Sequence, residues 1–388
     1  MASRKAASIS DYRGLARARL PHFLFEYLDG GSYDEETVRR NVEDLRGVAL
    51  RQRVLRDVSA IDLSTELLGQ RYAMPVGLGP VGLSGLYARR GEVQAARAAA
   101  AAGVPFSLST LSACSIGEIA QKSGVPFWFQ LYIVKDRAFV RDMIARAREA
   151  KCNALLLTVD LAVPGTRYRD YRAGLSGSMH GPAARAWQVL QRPDWAWDVA
   201  LRGRPMTMGN LEPLLGSGAM LADLMGWVAR NFDASVTWKD VEWVREQWKG
   251  PLIIKGILDP EDARHALDSG ADGILVSNHG GRQLDGALST ARALPRIADA
   301  VAGRMPVLVD GGVRSGLDVV RMLALGANFV MMGRAWAYAL AAAGEAGVAH
   351  VLKLIDAEMR VAMALTGVTK VAEIDNEILD RGGNQATF

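Results

Sequence analysis

The stretch Ser277-Asn278-His279-Gly280-Gly281-Arg282-Gln283-Leu284-Asp285-Gly286 sets a histidine and an arginine three residues apart on a glycine-bearing turn. It follows the apolar run Gly273-Ile274-Leu275-Val276, which reads as a buried strand. A titratable base and a fixed cation at the end of a rigid element suit acid–base work on an anionic substrate. The plainer alternative is a solvated turn whose histidine caps something local. Polar and ionisable residues also end other apolar runs: Ser109, Gln130 and Tyr132, Thr158 and Asp160, Lys255, Asp310-Gly311-Gly312-Val313-Arg314, and Gly333-Arg334, with Pro80-Val81-Gly82 earlier. Ends that served packing alone would be mostly small or apolar. The accumulation favours an enzyme over a binding or scaffold protein.

Gly311-Gly312 with Arg314, and Gly333 with Arg334, suit a phosphate group, because backbone N–H groups and guanidinium are its usual donors. The phosphate could belong to a substrate or to a cofactor such as FMN. Lys255 has three readings: a Schiff-base nucleophile, a cation beside an electron-accepting ring, or a solvated strand end. Arg167 and Arg282, aimed into one pocket, would clamp a carboxylate, since the guanidinium fork matches it bidentately. Asp160 would hold His279 in one tautomer and stabilise its imidazolium. Tyr27 is by default a core aromatic, but its hydroxyl could reach a ligand. His22, His180, His265, His279 and His350 show no ligand spacing, so no metal site is expected.

The elements that must position these groups alternate from Met74 onward. Strands are expected at Val76–Pro80, Phe106–Ser109, Trp128–Tyr132, Ala154–Asp160, Leu252–Lys255, Gly273–Ser277, Val307–Asp310 and Phe329–Met332, each followed by a helical pattern. Eight such units predict an α/β fold, a closed (β/α)8 TIM barrel with its chemistry at the C-terminal strand ends. The interval from Asp160 to Pro251 is far longer than the rest, so an insertion of about residues 164–235 follows the fourth strand. Residues 1–73 read as an N-terminal helical cap and 74–388 as the barrel, one domain in all. Within the cap, one helix is expected over Ser8–Gly30, N-capped at Ser10-Asp11, and a second over Asp34–Leu45.

With 388 residues, 49% hydrophobic and 23% charged, the chain can bury a large core. A net charge of +4 without a dense basic run gives no sign of nucleic-acid binding. Two cysteines, Cys114 and Cys152, point to a reducing compartment rather than a disulfide framework. No secretory signal and no uninterrupted membrane-spanning stretch is expected, which leaves the cytosol or a membrane surface. The insertion carries Trp187, Trp195, Trp197 and Trp227 with Arg185, Arg192, Arg202 and Arg204, a composition that suits a membrane–water interface. A lid or an oligomer contact uses the same residue types.

At Ser277–Gly286 the chain resembles the FMN-dependent α-hydroxy-acid dehydrogenases and oxidases. The resemblance extends in the family's order through Tyr27, Pro80-Val81-Gly82, Ser109, Phe129-Gln130-Leu131-Tyr132, Leu157-Thr158-Val159-Asp160, Arg167, Ile254-Lys255-Gly256, Asp310–Arg314 and Gly333-Arg334. Within the family it is most similar to the bacterial respiratory L-lactate dehydrogenases. That narrower likeness rests on Phe23–Tyr27, on Tyr87-Ala88-Arg89-Arg90-Gly91-Glu92-Val93-Gln94-Ala95-Ala96, on Asp194-Trp195-Ala196-Trp197-Asp198-Val199 and on Lys255–Arg264.

The resemblance implies His279 as base, taking either a hydroxyl or a Cα proton, with Asp160 orienting it. It implies Arg282 and Arg167 as carboxylate ligands, assisted by Tyr27, and the Tyr132 hydroxyl near the reacting oxygen. Lys255 would stand beside the flavin and stabilise its reduced, anionic ring. Pro80, Val81, Gly82, Ser109, Gln130 and Thr158 would hold the ring, and Ser277, Asp310, Gly311, Gly312, Arg314, Gly333 and Arg334 the rest of FMN with its phosphate. Leu111 stands where glycolate oxidase has tryptophan, which suits a small substrate side chain. Gly82 stands where several oxygen-using members have alanine. The implied activity is oxidation of (S)-lactate to pyruvate by a homotetramer held peripherally on the cytoplasmic face of the plasma membrane through residues 164–235, with a quinone or other respiratory acceptor. Mandelate or glycolate as substrate, or oxygen as acceptor, is the near alternative. No haem-binding segment is seen ahead of the barrel, so an internal cytochrome acceptor is not expected. A Schiff-base aldolase or isomerase on Lys255, and a membrane-surface adaptor without flavin, are the rivals from other classes.

Overall fold

The computed structural model describes residues 6–175, 182–203, 208–215 and 221–380. Eight strands make one parallel sheet: β1 Val76–Leu78, β2 Ser107–Ser109, β3 Trp128–Leu131, β4 Ala154–Thr158, β5 Leu252–Ile257, β6 Gly273–Val276, β7 Val307–Val309 and β8 Phe329–Met332. From β2 to β8 each pairs in parallel with the next, β8 pairs with β1, and a bridge from Leu78 to Phe106 closes β1 on β2. The closed ring is the expected (β/α)8 barrel, and closure leaves no sheet edge to protect. The expected strands agree with the observed ones to within two residues at each end. Most overran at the C-terminal end, because the polar rim residues lie just past the last ladder pair.

Strand periodicity explains where the chemistry sits. Trp128, Ala154, Leu156, Ile253, Leu275, Leu308, Phe329 and Met331 pack into one cluster with Leu67 and Tyr72. Those last two come from the hairpin Thr65–Leu67 with Gln70–Tyr72, which plugs the barrel floor. Side chains alternate along a strand, so the residue two positions on faces the same interior one layer higher. Two positions beyond Trp128, Leu156, Ile253, Leu275, Leu308 and Met331 stand Gln130, Thr158, Lys255, Ser277, Asp310 and Gly333. An apolar plug thus supports a polar layer at the mouth.

The cap departs from expectation at one point. Helix α1, Ile9–Arg19, is capped by Ser8, whose capping box with Asp11 makes Asp11 the third helical residue rather than part of the cap. It ends at Leu20, which is extended (φ −75°, ψ 147°), and helix α2, His22–Asp29, begins after Pro21. A proline disfavours helical backbone at the residue before it, so the single helix expected over Ser8–Gly30 is two. Helix α3, Glu36–Gly47, completes the cap.

By length and composition the helix Arg334–Thr366 could cross a membrane, contrary to the expectation that no such stretch exists. It breaks at Ala343 and Gly344, however, and buries Trp336, Leu340, Val348, Leu352, Ile355 and Met359. It packs against α1 and the helix Gly91–Ala101 as a core element.

The insertion sorts its tryptophans into two sets. Trp195 and Trp227 are buried, whereas Trp187 and Trp197 are 63% and 61% exposed. Arg185 donates to the Gly174 carbonyl at 3.2 Å, within the insertion, and Arg192 donates to the Leu20 carbonyl at 3.1 Å, which pins the insertion to the cap. Arg202 is exposed, while Arg204 and His180 lie outside the described residues.

Leu308→Ala should cost about 2–5 kcal/mol, because Leu308 is fully buried in the barrel plug. Thermal unfolding reads this as a lowered midpoint; an unchanged midpoint would show that the inner layer is not tightly packed.

Candidate active site

The turn after β6 presents His279 in an unusual backbone state. His279, Gly280 and Gly281 have φ of 58°, 64° and 74° in succession. Left-handed backbone is unfavourable for a non-glycine residue and persists only where the surroundings impose it. Here Asn278 and Asn41 of α3 exchange side-chain amide hydrogen bonds at 2.8 and 2.9 Å, and Asn278 Oδ1 also accepts from Gly281 N–H. The cap therefore braces the turn.

His279 Nδ1 lies 2.9 Å from Asp160 Oδ1. The carboxylate makes Nδ1 the protonated nitrogen of the neutral ring, which leaves the Nε2 lone pair as the proton acceptor. Burial lowers the His279 pKa below 6.5, with the Lys255 and Arg167 charges adding and Asp160 opposing. Burial pushes the Asp160 pKa up, but His279 and Lys255 outweigh it and hold the carboxyl below its usual range. Lys255 Nζ donates to Ser277 Oγ at 2.9 Å and stands 3.5 Å from Asp310 Oδ2 and 4.0 Å from Asp160 Oδ2. An ammonium between two carboxylates is a fixed cation, whereas an amine nucleophile is activated by apolar or cationic surroundings.

On the cap side, Tyr27 of α2 lies between two arginines. The guanidinium carbons of Arg282 and Arg167 are 4.8 and 5.8 Å from its ring centroid. Arg282 Nη1 donates to the Tyr27 and Gly30 carbonyls at 2.6 and 2.8 Å, which fixes one arm of the fork and leaves Nε and Nη2 for another partner. Arg167 is largely shielded, its Nε has no hydrogen-bond partner among the described residues, and Asp170 Oδ2 is 3.7 Å from Nη1. Burial and the neighbouring Arg282 charge both lower its pKa. Two partly shielded cations at close range, incompletely neutralised, constitute an anion site. Tyr132 faces the same space, and burial pushes its phenol pKa upward.

The far end is also cationic. Arg334 donates Nε to Leu28 O at 3.2 Å, Nη1 to Gly280 O at 2.7 Å and Nη2 to Gly30 O at 2.7 Å. Among the described residues its hydrogen-bond partners are carbonyls, and burial lowers its pKa to about 10. Arg314 lies beside it, 5.9 Å from the Tyr338 ring. Gly311 and Gly312 have φ of 97° and 81°, and a Cβ on Gly312 would come within 2.0 Å of the Asn41 carbonyl. This cradle admits only glycine and presses against α3.

One cleft, of about 1270 Å³ with the open mouth included, joins these parts. Its lining includes the predicted Tyr27, Pro80, Val81, Gly82, Ser109, Tyr132, Thr158, Arg167, Lys255, His279, Arg282, Asp310, Gly311, Gly312, Arg314, Gly333 and Arg334. Asp160, Gln130 and Ser277 stand directly behind, bonded to His279, Ser109 and Lys255. Gln130 Nε2 and Thr158 Oγ1 are buried without hydrogen-bond partners among the described residues. Unpaired donors beside a lysine suit the polar edge of a flavin, and the glycine cradle with two arginines suits a phosphate tail.

Sequence reasoning missed several contributors. Tyr87, Leu161 and Val228 line the cleft, and Val228 comes from the insertion helix Leu221–Asn231. Asn41 and Asn278 brace the histidine turn. Arg169 pairs with Glu26, with Asp29 at 2.9 Å and with Glu35 at 3.3 Å, and Asp29 also binds Arg13 and the Tyr338 hydroxyl. That cluster ties α2 to the helix Tyr168–Arg172 next to Arg167. Tyr87 lies in a motif singled out by resemblance, but nothing in its spacing marks it as a cavity residue.

The family profile described as FMN-dependent dehydrogenase matches residues 16–381. An L-lactate dehydrogenase of Caulobacter vibrioides (strain NA1000 / CB15N) is 62% identical over 373 residues, 96% of this chain and 97% of that one. An L-lactate dehydrogenase of Xanthomonas campestris pv. campestris (strain B100) is 60% identical over 380 residues, 98% of each chain. Among solved structures, the monotopic membrane protein (S)-mandelate dehydrogenase superposes with a TM-score of 0.91 at 37% identity, covering 98% of this chain and 100% of that one. A mandelate oxidase gives 0.83 at 39% identity, over 97% and 98%. Family, fold and site agree, and the Schiff-base and adaptor readings fall away: the chain belongs to the FMN-dependent dehydrogenase family and its cofactor is FMN.

Proposed function

We propose that this chain oxidises (S)-lactate to pyruvate and delivers the electrons to a respiratory quinone at the cytoplasmic face of the plasma membrane. The observation that carries the chemistry is the His279–Asp160 pair at 2.9 Å beside two incompletely neutralised arginines. The curated relatives that are about 60% identical, named L-lactate dehydrogenases, support lactate over mandelate.

The free arm of Arg282 and the unpaired Nε of Arg167 would take the substrate carboxylate, with the Tyr27 hydroxyl beside them. With the carboxylate there, the substrate's C2 hydroxyl would lie toward Tyr132 and His279, which line the same cleft. His279 Nε2 removes a proton, from the hydroxyl or from Cα, and the nearby Asp160 carboxylate stabilises the imidazolium that results. Enclosure by Tyr27, Tyr132, Leu161 and Val228 keeps bulk water from competing for that proton. Gln130, Thr158, Ser109, Lys255 and the Pro80–Gly82 backbone would hold the FMN ring; Gly312, Arg314, Gly333 and Arg334 would hold its ribityl phosphate, with Ser277, Asp310 and Gly311 between the two ends. When bound, FMN accepts the two electrons.

Membrane association rests on the insertion. Trp187 and Leu190 lie one helical turn apart, Trp197 and Leu201 lie on the next segment, and all are more than half exposed. Large exposed apolar side chains flanked by arginine suit an interface of headgroups and acyl chains.

Two outcomes are expected. His279 acts as a base only when neutral, so kcat/KM should fall as pH drops through its lowered pKa, below 6.5. Asp160 raises that pKa, so Asp160→Asn should move the acid limb to lower pH and reduce kcat by about 100-fold or more, while His279→Gln should keep the flavin and lose turnover. A pH profile with an unmoved acid limb in Asp160→Asn would refute the pairing. In flotation with anionic vesicles, replacing Trp187, Leu190, Trp197 and Leu201 by Ser should release the protein and spare turnover with a soluble dye. Undiminished flotation would mean that the insertion is not the anchor.

A further inference from the structure

We propose that Tyr87 is a specificity-determining wall of the substrate pocket, and that the insertion holds it there through Trp195 and Asp198. The inference rests on the small 2-hydroxy-acid reading above and deepens it.

Tyr87 belongs to the loop after β1, is fully buried, and lines the cleft. Its hydroxyl donates to the Gly82 carbonyl at 3.4 Å, a long bond that locates the ring more than it secures it. Gly82 is the place where the walls meet: a Cβ there would stand 3.4 Å from the Leu111 carbonyl and 3.6 Å from the Tyr27 hydroxyl. A substrate side chain entering between Leu111 and Tyr27 therefore ends against Gly82, with the Tyr87 ring beside it. A bulky, rigid aromatic at that depth admits a methyl group and obstructs longer chains.

The loop that carries Tyr87 is held from outside. Trp195 Nε1 donates to Leu86 O at 2.8 Å, and Arg19 Nη1 donates to Tyr87 O at 3.3 Å. Asp198 pairs with the same Arg19 at 2.8 Å and with Arg89 at 3.6 Å. The two sequence stretches Tyr87–Arg90 and Asp194–Val199, remote in the chain, thus form one contact. It has a buried indole N–H and a buried loop carbonyl at its centre, and each needs the other as its partner. Neither Trp195 nor Asp198 lines the cleft, so both act through the loop and are positioning residues.

The test measures kcat/KM for (S)-lactate and for (S)-2-hydroxyhexanoate with a soluble dye, with the flavin spectrum as a check on the holoenzyme. Tyr87→Ala should raise the hexanoate-to-lactate ratio by about tenfold or more, mainly through KM. Tyr87→Phe keeps the ring and should hold the ratio near the wild-type value. Trp195→Phe keeps the indole's bulk in part, removes its N–H, and should shift the ratio in the same direction as Tyr87→Ala by a smaller factor. It also carries the test if Tyr87→Ala fails to retain flavin. An unmoved ratio in flavin-loaded Tyr87→Ala would overturn the wall, and an unmoved ratio in Trp195→Phe would overturn the insertion's part in it. Wild-type holoenzyme that (S)-lactate does not bleach would instead overturn the substrate reading itself, which separates the two failures.

Discussion

A buried carboxylate governs the arrangement of this site. Asp160 is withdrawn from water, and an isolated buried charge would simply take up a proton. It stays ionised because the His279 ring after β6 holds it by a hydrogen bond and Lys255 of β5 supplies opposite charge, and those residues are near only because the strands are adjacent in a closed ring. Each partner is itself over-determined: Lys255 by Ser277 and Asp310, His279 by a left-handed turn that the Asn41–Asn278 pair holds. Loss of closure would separate these groups and remove the reason for Asp160 to be charged. The barrel therefore sets the protonation state as well as the geometry.

The cap is joined to the barrel by the same kind of reasoning. A helix C-terminus presents unpaired carbonyls, and cations favour that end. At the end of α2, Arg282 and Arg334 take the carbonyls of Tyr27, Leu28 and Gly30. One arginine belongs to the anion clamp and the other to the phosphate end, so the helix that carries Tyr27 is fastened from both halves of the cleft. Asp29, on its opposite side, gathers Arg13, Arg169 and Tyr338, which neutralises a buried charge and fixes the segment bearing Arg167. Removing Arg169 would leave the buried Asp29 with only a half-exposed arginine and a phenol, which costs more than a surface pair contributes.

Much of this was legible in the sequence. Short apolar runs and helix–strand alternation located the eight strands to within two residues, because parallel strands buried on both faces are continuous apolar runs. His279, Asp160, Lys255 and the arginines were legible because ionisable residues just after such runs have few structural uses. What was not legible depended on distance in the chain rather than on type. The break at Pro21 was marked by the proline, yet the apolar period ran through it and hid it. The four tryptophans of the insertion look alike in composition, but Trp195 finds an acceptor at Leu86 and Trp197 faces solvent. Nothing local to Tyr87, Val228 or Asn41 says that each lies against the cleft or its braces. Arg185 and Arg192 were read as membrane-facing charges, yet each finds a carbonyl remote in sequence, at Gly174 within the insertion and at Leu20 in the cap.

The insertion is best understood as one object with two faces. Its inner face contributes Val228 to the cleft and Trp195 to the β1 loop, while its outer face exposes Trp187, Leu190, Trp197 and Leu201. Burying each of those outer side chains is worth about 1.5–3 kcal/mol. Four together would suffice for stable attachment to a bilayer, even after the loss of free rotation and translation is counted. A separate anchor could provide attachment without touching the site. Here the same insertion that would lie on the bilayer also lends Val228, from a second helix, to the cleft. Reduced cofactor would then be held next to the phase in which a quinone dissolves, while a small charged acid would still enter from water. A soluble acceptor would need neither face, so the exposed tryptophans and the proposed quinone acceptor fit one physical requirement: an apolar acceptor would be reached from the bilayer and a charged substrate from water.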